Sequence, residues 1–139
     1  MAARLGCAEV VNILLENGSV AVSILNKKNF YGRSALFEAC TMGHVAVAKI
    51  LIDSLADPVA SDNFQSTCLM QACRLGNGEL VRMLLNLGVN ASTANEAGET
   101  ALMLACQQGS IEIAKCLIEY RASTSVKDKV IKCTWCCSL

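Results

Sequence analysis

GRSALFEACTMG, residues 32–43, returns as QSTCLMQACRLG at 65–76 and again as GETALMLACQQG at 98–109. Gly32, Gln65 and Gly98 stand 33 residues apart. The same step carries Leu36 to Leu69 and Leu102, Ala39 to Ala72 and Ala105, Cys40 to Cys73 and Cys106, and Gly43 to Gly76 and Gly109. A chain that repeats itself at this period is an array of small units, none able to bury its apolar face alone.

Each unit reads as a turn followed by two short helices. In the last one, STANEAGET (92–100) is polar and turn-rich, with Gly98 at a position that favours a positive φ. Thr100 is placed to cap a helix whose apolar residues Leu102, Ala105 and Cys106 recur at helical spacing, and Gly109 closes it. Ser110 is the expected cap of a second helix, with Ile111 at its start and Ile113, Ala114, Leu117 and Ile118 on one face. Glu112 with Lys115, and Glu79 with Arg82 one unit earlier, are expected to pair on the solvent side. The expected units are 28–60, 61–93 and 94–126, after a partial unit at 1–27; together with residues to 129 they form one array, and 130–139 is a non-repeat, Cys-rich tail. Gly6 lies 37 residues before Gly43, so SVAVSILNKKN (19–29) holds a four-residue insertion between helices, where lengthening is tolerated.

GRSALFEA (32–39), QSTCLMQA (65–72) and GETALMLA (98–105) resemble the Gly-x-Thr-Pro-Leu-His-x-Ala signature of the ankyrin repeat. GHVAVAKILI (43–52), GNGELVRMLL (76–85), GSIEIAKCLI (109–118) and GCAEVVNILL (6–15) resemble its second helix. The resemblance covers roughly residues 2–129 and implies an all-α solenoid of helix-turn-helix repeats with short turn or β-hairpin fingers, three full repeats and one partial. The family's Pro is here Ala35, Cys68 and Ala101, and its His is Phe37, Met70 and Met103. Loss of that His implies one turn-stabilising hydrogen bond fewer per unit, and Gln65 in place of Gly implies a strained turn.

Composition narrows the function classes. The chain has 139 residues, 53% hydrophobic and only 4% aromatic, so small aliphatic side chains and Cys must build the core. Twelve basic and twelve acidic residues balance to a net charge of +0, which gives no electrostatic footprint for nucleic acid. No stretch approaches the ~18 apolar residues of a membrane span. MAARLGCAEVVNILLENG at the start is amphipathic and lacks the basic and apolar regions of a secretory signal. Nine Cys would suit a disulfide scaffold, but nine is odd and Cys40, Cys73 and Cys106 hold one core register. A reducing compartment, cytoplasm or nucleus, is expected.

No catalytic constellation stands out. The sole His, His44, opens a second helix with no Cys or Asp placed by spacing to work with it. Cys133 and Cys136 form a C-x2-C without the second pair that zinc requires. No enzyme activity, metal or cofactor is expected. The last four residues, CCSL, resemble a prenylation box with Cys136 as acceptor and Lys127, Lys129 and Lys132 upstream, although Cys137 and Ser138 are not an aliphatic pair. Membrane contact is expected only if this tail is lipidated. Neither end carries a recognisable polar cap. Two readings follow: a truncated product of a longer repeat protein without independent activity, or a short array whose tail folds back with Val130, Ile131 and Trp135 as a lid.

The resemblance implies a monomeric protein-binding module or adaptor, whose partner meets the fingers and first helices on the concave face. Mapped residue by residue, the fingers supply Lys28, Asn29, Phe30, Tyr31 and Arg33, then Asp62, Asn63, Phe64 and Gln65, then Asn95, Glu96 and Glu99. The first helices supply Glu38, Thr41, Met42, Gln71, Arg74, Leu75, Leu104, Gln107 and Gln108. Aromatics, Met and Arg are favoured interface anchors. The principal candidates are therefore Phe30, Tyr31, Arg33, Met42, Phe64, Gln71, Arg74, Leu75, Glu99, Gln107 and Gln108. The stripe has no single sign of charge, which fits a partner of mixed apolar and polar character.

Overall fold

A computed structural model describes residues 25–120. The partial first unit up to residue 24, the C-x2-C at Cys133 and Cys136, and the candidate acceptor Cys136 lie outside the described residues.

Among the described residues six helices follow one another in pairs: α1 (Ala35–Met42) and α2 (Val45–Asp53), α3 (Cys68–Leu75) and α4 (Gly78–Asn86), α5 (Ala101–Gln107) and α6 (Ile111–Glu119). A connection of two or three residues turns each pair back on itself. The first helices α1, α3 and α5 pack side by side in one row, and α2, α4 and α6 form a second row against it. This is the two-layer solenoid the 33-residue period predicts.

Local chemistry makes each first helix the same way. Ser34, Thr67 and Thr100 cap them, each side-chain oxygen accepting the backbone N–H three residues on: Phe37 at 3.3 Å, Met70 at 3.2 Å and Met103 at 3.4 Å. Gly43 and Gly76 close α1 and α3 in the left-handed conformation. In α5 the cap residue is Gln108, and Gly109 follows it with φ 70°.

The helices are short because the core is made between units rather than within them. Leu36, Leu69 and Leu102 are buried, as are Ala39, Ala72 and Ala105 and the thiols Cys40, Cys73 and Cys106. Small side chains at the Ala–Cys positions let neighbouring first helices approach closely. Phe37, Met70 and Met103, where the signature has His, are buried apolar residues. Leu80, Val81 and Leu84 of α4 and Ile113 and Leu117 of α6 fill the space between the two rows.

Three local expectations are corrected. Ser110 holds the cap position of α6 but its side chain makes no capping bond, whereas Asn77 caps α4 by accepting from Leu80 N–H at 3.2 Å. Glu112 and Lys115 form no ion pair. Arg82 does not pair with Glu79 either. It meets the Cys116 thiol of the next unit, which, with the more distant charge of Glu112, holds its guanidinium above its ordinary pKa. Flexible exposed pairs three residues apart gain too little to order themselves.

Candidate binding face

The fingers that precede the first helices are built on one recurring polar side chain. Asn29 Oδ1 accepts the backbone N–H groups of Tyr31 and Arg33, each at 3.0 Å. One unit on, Asp62 Oδ1 accepts those of Phe64 and Ser66, each at 2.9 Å. Asn95 Oδ1 accepts that of Glu99 at 2.9 Å. A short acceptor bonding its own downstream backbone is the natural stabiliser of such a turn. Each turn is closed by a backbone bond as well: Asn29 N–H to Arg33 O, Asp62 N–H to Ser66 O and Asn95 N–H to Glu99 O. Asn29, Asp62 and Asn95, counted among the finger candidates, therefore face inward on their own turns, and Asp62 is buried.

The fingers are also tied to one another. Asn63 N–H donates to Tyr31 O at 3.1 Å, and Glu96 N–H donates to Phe64 O at 3.0 Å. Lys28 Nζ donates to Ser61 O at 2.8 Å, and Asn63 Nδ2 to Phe30 O at 3.2 Å. The finger row is thus a continuous hydrogen-bonded rail. Its aromatic side chains are left outside: Phe30 is 92% exposed, Tyr31 58% and Phe64 60%. Phe30 and Tyr31 meet edge to face with centroids 5.9 Å apart.

Opposite this rail, α1 and α3 present Thr41, Met42, Gln71, Arg74 and Leu75, with Met42 and Leu75 half exposed. Between rail and helices lies a recess of about 730 Å³. Of the principal candidates, Arg33, Phe64, Gln71, Arg74 and Leu75 line it together. Thr41, Asp62, Asn95 and Glu96, from the wider mapping, line it too. Glu99 flanks it through Arg74, whose Nη2 donates to Glu99 Oε2 at 3.4 Å. Phe30, Tyr31, Met42, Gln107 and Gln108 are exposed but do not line it.

Two lining residues, Ser66 and Ala97, escaped the sequence reading. The register holds the signal for the first. Positions 33, 66 and 99 are Arg, Ser and Glu, so the middle unit carries a short side chain where both neighbours carry long ones.

A family model described as ankyrin repeats in three copies matches residues 1–62 and 56–128. The chain belongs to the ankyrin-repeat family. Ankyrin repeats generally mediate protein–protein interaction, and the family is typically a non-enzymatic interaction module. No curated protein matches this ankyrin chain.

Among the described residues of the ankyrin array, no group of His, Cys, Asp and Glu is placed to hold a metal ion, and no helix is long and apolar enough to cross a membrane. His44 stands at the start of α2, its backbone N–H donating to Ala39 O at 2.9 Å. The core thiols are chemically quiet. Burial pushes Cys73 up to about 12, and a hydrogen bond with Cys40, with burial, pushes Cys68 well above the ordinary thiol value. A thiol held protonated and out of solvent is a poor nucleophile.

Proposed function

We propose that this chain is a non-catalytic recognition module that binds a partner protein through the concave face, with finger rail and first helices as the two walls of the site. The observation that supports it most is the placement of Phe64 on one wall and Leu75 on the other, both more than half exposed, across a recess floored by Gln71 and Thr41. Exposed aromatic and aliphatic side chains beside an arginine, held on a rigid hydrogen-bonded frame, are the make-up of an interface centre. Formal charges on the walls are mixed, so a partner of mixed character fits better than a highly charged one.

A reducing compartment suits the module, since Cys40, Cys68, Cys73, Cys106 and Cys116 are all free thiols. Replacing Tyr31, Phe64 and Arg74 together by Ala tests the reading. The triple variant is expected to lose capture of the proteins that copurify with the parent chain while keeping its far-ultraviolet circular dichroism. Undiminished capture by a folded triple variant would place the site elsewhere.

A further inference from the structure

Arg33 is held in an unusual way. Its guanidinium carbon lies 5.4 Å from the ring centroid of Tyr31 and 5.6 Å from that of the buried Phe37. Stacking on two rings fixes a planar cation. Yet among the described residues the guanidinium makes no hydrogen bond. Nε is buried without a partner. Nη1 forms an ion pair with Glu38 Oε1 at 3.6 Å, longer than a hydrogen bond, and that oxygen also accepts from Asn29 Nδ2 at 3.3 Å. Arg74, by contrast, donates to Glu99. Arg33 is therefore an oriented cation, ion-paired with Glu38, whose Nη1–Nη2 edge donates no hydrogen bond within the described residues, its side chain still about one third exposed and lining the recess.

The charges around it explain what it can accept. Asp62 lies on the same recess, but its Oδ1 is engaged by two backbone N–H groups of its own turn. Glu38 is ion-paired with the cation and Glu96 also lines the recess, so geometry matters more than net charge: the Nη1–Nη2 edge of the guanidinium matches a carboxylate in two parallel bonds. Ser66, Phe64 and Leu75 line the same recess, whose volume of about 730 Å³ has room for an apolar side chain.

We propose that Arg33 is the anchor for an acidic side chain of the partner polypeptide: an Asp or Glu carboxylate seats on the guanidinium, and a neighbouring large apolar residue enters the recess over Ser66. This deepens the concave-face reading and rests on it. The stacking means little conformational freedom is lost when the acid arrives, which favours affinity.

A phage-displayed library of random peptides, selected on the full chain, tests the proposal. The enriched peptides are expected to carry Asp or Glu beside a large apolar residue. Synthetic versions should lose about tenfold in affinity on Arg33→Gln, and as much when the peptide acid becomes its amide, with the two losses non-additive. Arg33→Glu should weaken binding further and be rescued by Lys in place of the peptide acid. Glu99 stands at the same register, so the fold accommodates that residue type there. Peptides that bind equally well to Arg33→Gln but lose affinity on Phe64→Ala with Leu75→Ala would overturn the Arg33 assignment and leave the concave-face reading standing. Peptides indifferent to all three changes would overturn both. A selection without acidic residues, or without any enrichment, would overturn the Arg33 assignment.

Discussion

A Cβ placed on Gly32 would lie 2.3 Å from Oδ1 of Asn63 and 2.8 Å from its backbone nitrogen. The two residues belong to adjacent fingers, and Asn63 is the residue that binds both Tyr31 O and Phe30 O. Gly32 also has φ 75°, where an L side chain costs about 1–2 kcal/mol. Gly32→Ala therefore meets strained torsion and a backbone clash whose relief breaks the finger-to-finger bonds. The expected loss is about 3 kcal/mol, read as a lower urea midpoint. A loss under about 1 kcal/mol would mean the fingers yield freely.

Gln65 is the opposite case. It stands one unit on from Gly32, adopts φ 61° and is exposed, its N–H bonding Asp62 O at 3.1 Å. Gln65→Gly removes the torsional cost and gives part of it back through the greater freedom of the unfolded chain. A gain of about 0.5–1 kcal/mol is expected, seen as a raised urea midpoint at unchanged slope. An unchanged or lowered midpoint would show that the turn carries no strain.

Much of this was legible beforehand. The period located every described helix, because residues 33 apart meet the same neighbours: Cys40, Cys73 and Cys106 are core, and Thr100 caps α5 as its place after the turn requires. The recess that forms the candidate site was half legible. Register put Arg33, Phe64, Gln71, Arg74 and Leu75 on one face, and they converge. Register alone does not tell how a side chain spends its polar atoms. Asn29, Asp62 and Asn95 read as finger contacts and are turn supports, while Arg33 reads as an interface anchor and is also held against Phe37. The hydrogen bond of Arg82 with Cys116 is hidden for the same reason: its partner belongs to the next unit.

Leu55 repeats the argument at a helix end. With φ 70° and 71% of its surface exposed, it occupies the register of Gly88, where a Cβ meets nothing within 4 Å. The cost at Leu55 is thus mainly torsional, with little packing to lose. Leu55→Gly should stabilise the chain by about 0.5–1 kcal/mol and lessen its tendency to self-associate by removing an exposed apolar side chain. Thermal melts and sedimentation at matched concentrations check the two effects, and a lower melting temperature would contradict the first.

Cys73 links stability to alkaline pH. Burial raises its folded pKa to about 12, whereas an unfolded thiol titrates near ~8.5. The folded state holds the proton longer, so the unfolded state gains by losing it first. This contribution is complete below about pH 8.5 and is lost as pH climbs toward about 12. At about pH 10 the loss should be roughly 1–2 kcal/mol. The decisive comparison is with Cys73→Ala, whose urea midpoint should fall less between neutral pH and about pH 10. Parallel falls in the two proteins would mean that the Cys73 thiolate is accommodated in the fold. Alkylation followed by peptide mapping gives an independent reading: Cys73 should react only as fast as the chain unfolds, and half-buried Cys116 faster.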